Sequence, residues 1–107
     1  MKKNIGSVMG LYPTPLAVVG AMVLGRVNWV LVGHLGIMGH DRVMISLAKP
    51  HFTNQGILES GLCSVNIVDE AMLPQADEAG RVSGAKTDKS GLFAWHAGEA
   101  GAPVADA

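Results

Sequence analysis

The chain has 107 residues, of which 49% are hydrophobic and 16% charged, and its formal net charge is −1. That length supports one domain at most. Its eight basic residues are spread along the chain without forming a patch, which argues against nucleic acid as a partner. One cysteine, Cys63, excludes an internal disulfide and a cysteine-based zinc cluster. The high apolar share suggests that a partner covers some of the surface.

Residues 1–10 read as a loose arm or a short helix, since Gly6 and Gly10 oppose a longer one. The basic start followed by apolar Leu16 to Leu24 has the outline of an export signal. Tyr12-Pro13-Thr14-Pro15 interrupts that outline, and the apolar run is too short to cross a membrane. The expectation is a cytoplasmic protein without a membrane association. Pro13 and Pro15 hold their neighbours extended. Leu16 to Leu24 then reads as a first strand, Gly25-Arg26 as a turn and Val27 to Val32 as a second strand, together a hairpin. Gly33 to His40 is a glycine-rich connection that either packs over the sheet or lines an apolar cavity.

Val43 to Ala48 reads as a third strand. Lys49, Pro50, His51, Thr53 and Asn54 form a polar junction, and Thr53 or Asn54 caps a short helix carrying Ile57 and Leu58 to Gly61. Leu62 to Val68 is a fourth strand, rich in β-branched residues, with Cys63 inside it as a buried structural thiol. A strand, a basic and hydroxyl-bearing turn and a helix start can together hold a phosphate on free N–H groups and the helix dipole. An ordinary strand–helix turn is the alternative, because no glycine-rich phosphate fingerprint is present.

Asp69 caps a further helix over about Glu70 to Ala79, with Pro74 limiting its first turns and Gly80 ending it. A polar turn follows at Ala85 to Ser90. Leu92, Phe93 and Trp95 suggest a short helical segment from Asp88 or Ser90. Gly98 to Ala107 is small, flexible and unpatterned, and nothing beyond Trp95 reads as another strand. Four strands leave sheet edges open, so the chain reads as incomplete or as completed by a partner.

Few residues carry chemistry on their own. His34, His40, His51 and His96 lack the spacing of a metal motif. His51 either donates to a phosphate or lies exposed in its turn. No nucleophile has a base beside it, and Asp69-Glu70 and Asp77-Glu78 are solvated neighbours, not an acid–base pair held across a cleft. No catalytic residue is assigned. Asn28 stands out, since an amide inside a strand needs a partner when buried. It either meets a polar heterocycle or faces water. Trp29 and Trp95 read as core anchors. The Lys86 to Lys89 turn either binds an anion or is simply solvated.

The order of these stretches resembles the flavin reductase-like proteins, including flavoredoxin. The resemblance is carried by Tyr12-Pro13-Thr14-Pro15-Leu16-Ala17-Val18-Val19, Asn28, Val43 to Leu47, His51-Phe52-Thr53-Asn54 and Ile57. It continues through Ser60-Gly61, Ser64 to Val68, Val82-Ser83-Gly84 and Thr87-Asp88-Lys89. It implies a mainly β fold with short helices, the FMN-binding split β-barrel. The chain is then one partial domain, 1–107, with an arm at 1–14 and a flexible tail at 96–107; the family's later strands complete the barrel. The resemblance also implies a homodimer that binds FMN non-covalently.

The site residues it implies are Asn28, Trp29, Ser46, Leu47, Ala48, Lys49, His51, Thr53, Asn54 and Lys89. Asn28 to Leu35 would run along the flavin ring. Ser46 to Lys49 with His51, Thr53 and Asn54 would approach the ribityl chain and phosphate, and Lys89 would lie near the flavin or shape its site. Typical members carry an arginine at the phosphate turn; this chain has Lys49 and His51 but no arginine there. The implied activity is NAD(P)H-dependent flavin reduction or flavin oxidoreduction, with NADH, NADPH or a redox protein as electron donor. The alternatives are a flavoredoxin-like electron-transfer protein, a non-catalytic truncated fragment or dimer module, and an unrelated ligand-binding β domain.

Overall fold

The fold was read from a computed structural model that describes residues 1–107 except 9, 11, 12 and 107. Strand β1 (Ala17–Val23) lies at the centre of a three-stranded antiparallel sheet, between β2 (Arg26–Val32) and β5 (Ser64–Ile67). The hairpin of β1 and β2 forms as the sequence indicates, with Ala17 opposite Val32 and Val23 opposite Arg26. Its two turn residues are Leu24 and Gly25, one position earlier than expected, with φ of 51° and 80°. Positive φ at both positions suits the right-handed twist of the flanking strands.

Strand β1 is buried on both faces, so its side chains feed two cores. Val18 points to one side, where Val27, Trp29, Phe93 and the α2 residues Ala76 and Ala79 pack (α2 is Leu73–Arg81). Trp29 meets Phe93 edge to face, with ring centroids 5.2 Å apart. Val19 points the other way, to Val30 and Val32, against Leu35, Ile45, Leu47, Ile57 and Cys63.

Gly33 to His40 is not a plain connection. Strand β3 (Leu35–Gly39) pairs with β4 (Arg42–Ile45), with Leu35 opposite Ile45 and Ile37 opposite Val43. Gly36 and Gly39 hide this strand from a propensity reading; cross-strand partners hold it. Its base packs on the core through Leu35 and Ile45, while Ile37, Met38, Val43 and Met44 stay exposed.

Helix α1 (Thr53–Ser60) ends at Gly61 in the left-handed region, as expected, with the Gly61 N–H on the Ile57 carbonyl. Its start differs from expectation: Phe52 is the N-cap, and no side chain caps it. Thr53 turns inward instead and accepts a 2.7 Å hydrogen bond from Asn28 Nδ2, which ties α1 to β2. Asn54 Nδ2 reaches back to the Ala48 carbonyl at 2.8 Å. At Gly56 the helix lies directly on β1, where an added Cβ would fall 2.1 Å from the Met22 carbonyl oxygen.

Asp69 does act as a cap, accepting from Met72 N, but it caps a 3₁₀ turn (Glu70–Met72) that leads into α2. Pro74 occupies the first turn of α2, where no N–H is required of it. Among the described residues, no helix forms after Asp88. Lys89 is instead drawn inward, 4% exposed, and donates to the Trp29 carbonyl at 3.1 Å and the Ala79 carbonyl at 2.9 Å.

The end of the chain is also ordered into strands, contrary to expectation. Strands β6 (Trp95–Ala97) and β7 (Pro103–Ala105) form a hairpin. Asn66 on β5 anchors it: its Oδ1 accepts from Ala105 N at 3.1 Å, while its Nδ2 donates to the Val18 carbonyl at 2.9 Å. Strands of three residues are too short to show an alternating pattern, so only this tertiary tie reveals them. The described residues form sheets of three, two and two strands that do not close on one another. No helix among the described residues is long and apolar enough to cross a membrane.

Three stability measurements follow. Leu24→Asn should stabilise the chain by about 1 kcal/mol, because asparagine tolerates positive φ and Leu24, 66% exposed, loses little packing; a thermal melt no higher than wild type would contradict this. Gly56→Ala should destabilise by about 1–3 kcal/mol, since the clash with backbone outweighs the gain in helix propensity; urea midpoints test it. Desolvation lowers the Lys89 pKa from its ordinary 10.5. The folded chain then binds fewer protons there than the unfolded chain, so the penalty is complete below the folded pKa and fades as pH rises toward 10.5. Relative to Lys89→Met, wild type should therefore gain stability as pH rises toward 10.5, as read by paired urea melts; a gap that stays constant would rule this out.

Candidate functional site

Two cavities follow one another along the free edge of β2. The first, about 230 Å³, lies between the start of α1 and the end of α2 and is lined by Asn28, His51, Thr53, Arg81, Ser83 and Lys89, among others. The second, about 260 Å³, runs from Leu31, Val32, Gly33 and His34 across to Ser46, Leu47, Ala48 and His51. Leu31 and His51 line both. Each falls below the roughly 300 Å³ at the lower end for ligand clefts, whereas the two joined fall inside that range.

The first cavity is polar by construction. Asn28 is 4% exposed and Thr53 fully buried. Their mutual bond uses the Asn28 amide N–H and leaves the Asn28 carbonyl oxygen without a partner among the described residues. Gly84 comes close over that oxygen, and a Cβ there would lie 2.2 Å from it. Any larger residue at 84 would fill this end of the cavity. The N–H groups of Phe52 and Thr53 at the start of α1 also have no acceptor among the described residues. Free N–H groups at a helix start suit an anion.

The facing element is the end of α2, whose carbonyls and dipole would repel an anion. Lys89 changes that balance. Its ammonium sits on the Ala79 carbonyl and places a full positive charge at that helix end. Arg81 lines the cavity as well, with its guanidinium turned back to Asp77 at 3.5 Å and to Glu78. Hydrogen bonds from the Ser90 side chain and N–H, and then the Arg26 guanidinium at 3.2 Å, keep the Asp88 carboxyl below the usual range.

Most of the expected site residues gather on this furrow. Asn28, His51, Thr53 and Lys89 line the first cavity, and Ser46, Leu47, Ala48 and His51 line the second. Asn54 sits one residue into α1, its amide spent on the Ala48 carbonyl. Lys49 is exposed and lines neither cavity. The Trp29 ring is buried in the core and lines neither; its carbonyl, held by Lys89, is the part that reaches the edge. Arg81, Ser83 and Gly84 were not anticipated as site residues, although Val82-Ser83-Gly84 was one of the stretches that carried the resemblance. Among the described residues, no group of three or more histidine, cysteine or acidic side chains comes together for a metal.

The family model described as the flavin reductase like domain matches residues 9–107. Flavoredoxin from Methanosarcina acetivorans is 36% identical, with a TM-score of 0.87, over 98% of this chain and 58% of its own. Flavoredoxin of Desulfovibrio vulgaris (Miyazaki F) is 32% identical, with a TM-score of 0.82, over 98% of this chain and 61% of its own. The FMN-binding protein from Thermus thermophilus shares the fold at 24% identity, with a TM-score of 0.82, over 99% of this chain and 62% of its own. This chain thus spans less than two thirds of the length of these solved relatives. No curated protein matches it. Because the matching model takes in nearly the whole sequence, and two flavoredoxins align at above 30% identity, the chain belongs to the flavin reductase like domain family.

Proposed function

We propose that this chain binds FMN along the edge of β2 and serves as a flavoredoxin-like electron-transfer flavoprotein. The continuity of the two cavities through His51 carries the proposal. An anion-suited cavity beside a second cavity that shares Leu31 and His51 with it is what a phosphorylated, flat heterocycle requires. The phosphate lies at the start of α1, with His51 and Thr53. The ring side follows Leu31 to His34 against Ser46 to Ala48. The free Asn28 carbonyl accepts from a donor on the ligand, and Thr53 fixes the orientation of that amide.

Bound FMN supplies the redox chemistry, accepting a hydride or passing electrons singly or in pairs. The protein's task is to bind, orient and shield, and that task calls for no side-chain acid or base. The second reading is an NAD(P)H-dependent flavin reductase, with NADH, NADPH or a redox protein as donor; no nucleotide-selecting motif separates the two nicotinamides. The electron-transfer reading ranks first because two relatives above 30% identity are flavoredoxins.

The open sheets support a split barrel that further strands complete, and the exposed apolar tip of β3–β4 supports a homodimer. The cavities along β2 are lined by residues of this chain alone, so both are secondary to FMN binding.

The test is an FMN titration followed by flavin fluorescence, with the mass of the complex measured in the same buffer. Saturable quenching by a dimer is the expected result, and a flat titration would remove the reading. Anaerobic mixing with NADH and with NADPH then separates the two activities. Rapid bleaching of the flavin would favour the reductase, and no bleaching would favour electron transfer.

A further inference from the structure

The sequence places Lys49 at the phosphate turn, but the folded chain holds it exposed and away from both cavities. Two cations line the anion-suited cavity beside His51, Thr53 and Ser83: Lys89, already held by two backbone carbonyls, and Arg81, the last residue of α2. We infer that Arg81 is the residue that meets the ligand's phosphate, leaving Asp77 and Glu78 to do so, and thereby makes the chain prefer FMN to riboflavin. This inference rests on the FMN reading above.

Three observations carry it. The first is position: Arg81 and the unpaired N–H groups of Phe52 and Thr53 bound the same cavity from opposite sides. The second is the weakness of what holds Arg81 now. Its pairs to Asp77, four residues back, and Glu78, three back, lie on an exposed helix surface, where ion pairs contribute little. A phosphate offers a planar guanidinium two parallel charge-assisted bonds, which is the stronger partner. The third is the Asn28 carbonyl on the same cavity wall, to which no described side chain or N–H donates; it suits a hydroxyl or N–H elsewhere on the ligand and leaves the phosphate to the cation.

Asp77 and Glu78 then act as a brake. They hold the guanidinium when no phosphate is present, and their charge opposes the anion that replaces them. Riboflavin, which lacks the phosphate, has nothing to draw Arg81 away.

The test compares FMN and riboflavin titrations of the full chain. Arg81→Gln should weaken FMN about tenfold and leave riboflavin unchanged. It should also cost more FMN affinity than Lys49→Gln. The double change Asp77→Asn with Glu78→Gln should tighten FMN and not riboflavin. An Arg81→Gln chain that keeps the wild-type ratio of FMN to riboflavin affinity overturns the inference. If wild type takes up neither flavin, the FMN reading fails by itself. Inorganic phosphate is then titrated against the Arg81 Nε–H resonance. A saturable shift sustains Arg81 as an anion ligand, and no shift overturns that as well.

Discussion

The buried bond between Asn28 and Thr53 is the constraint on which the rest of the site depends. It joins an interior strand residue to the first residue of a helix, 2.7 Å apart and out of water. Breaking it would strand a polar group in a dry interior at a cost of about 1–3 kcal/mol, a substantial part of the roughly 5–15 kcal/mol that holds a domain folded. Because Thr53 is engaged there, it does not cap α1, and the first N–H groups of that helix stay free. The same contact therefore fixes the helix against the sheet and leaves its start chemically open.

Charge is arranged around this contact in a way that residue order alone does not show. Lys89 is spent on two backbone carbonyls and offsets the negative end of α2. Lys49, next to the turn in sequence, is turned outward. Arg81, far from the turn in sequence, arrives beside it in space. The apolar share of the composition is likewise accounted for by a sheet buried on both faces and by a hairpin tip exposed to solvent.

The parts of the fold legible in the sequence are those whose signal is local. The β1–β2 hairpin, the glycine stop after α1 and the Asp69 cap each depend on residues within a few positions of one another. Strand β3 was illegible because Gly36 and Gly39 weaken its own preference, and its partners lie across a turn. Strands β6 and β7 were illegible because Asn66, distant in sequence, holds them. In the candidate site, Asn28 was found by asking what a strand amide would pair with. Trp29 was read both as a core anchor and as a site residue, and its ring took the first role. Arg81 sat at the end of a helix pattern with two acids before it, which reads as surface charge until the fold carries it to a cavity.

The Lys89 anchor has a consequence for how far the sequence can drift. Both of its acceptors are main-chain carbonyls, at Trp29 and Ala79. A carbonyl stands at those positions whichever side chain is encoded there. The anchor is thus indifferent to the side chains of its acceptors and sensitive to spacing, so an insertion or deletion between Ala79 and Lys89 threatens it. What restricts the side chains at 29 and 79 is therefore their burial in the core and not the anchor itself.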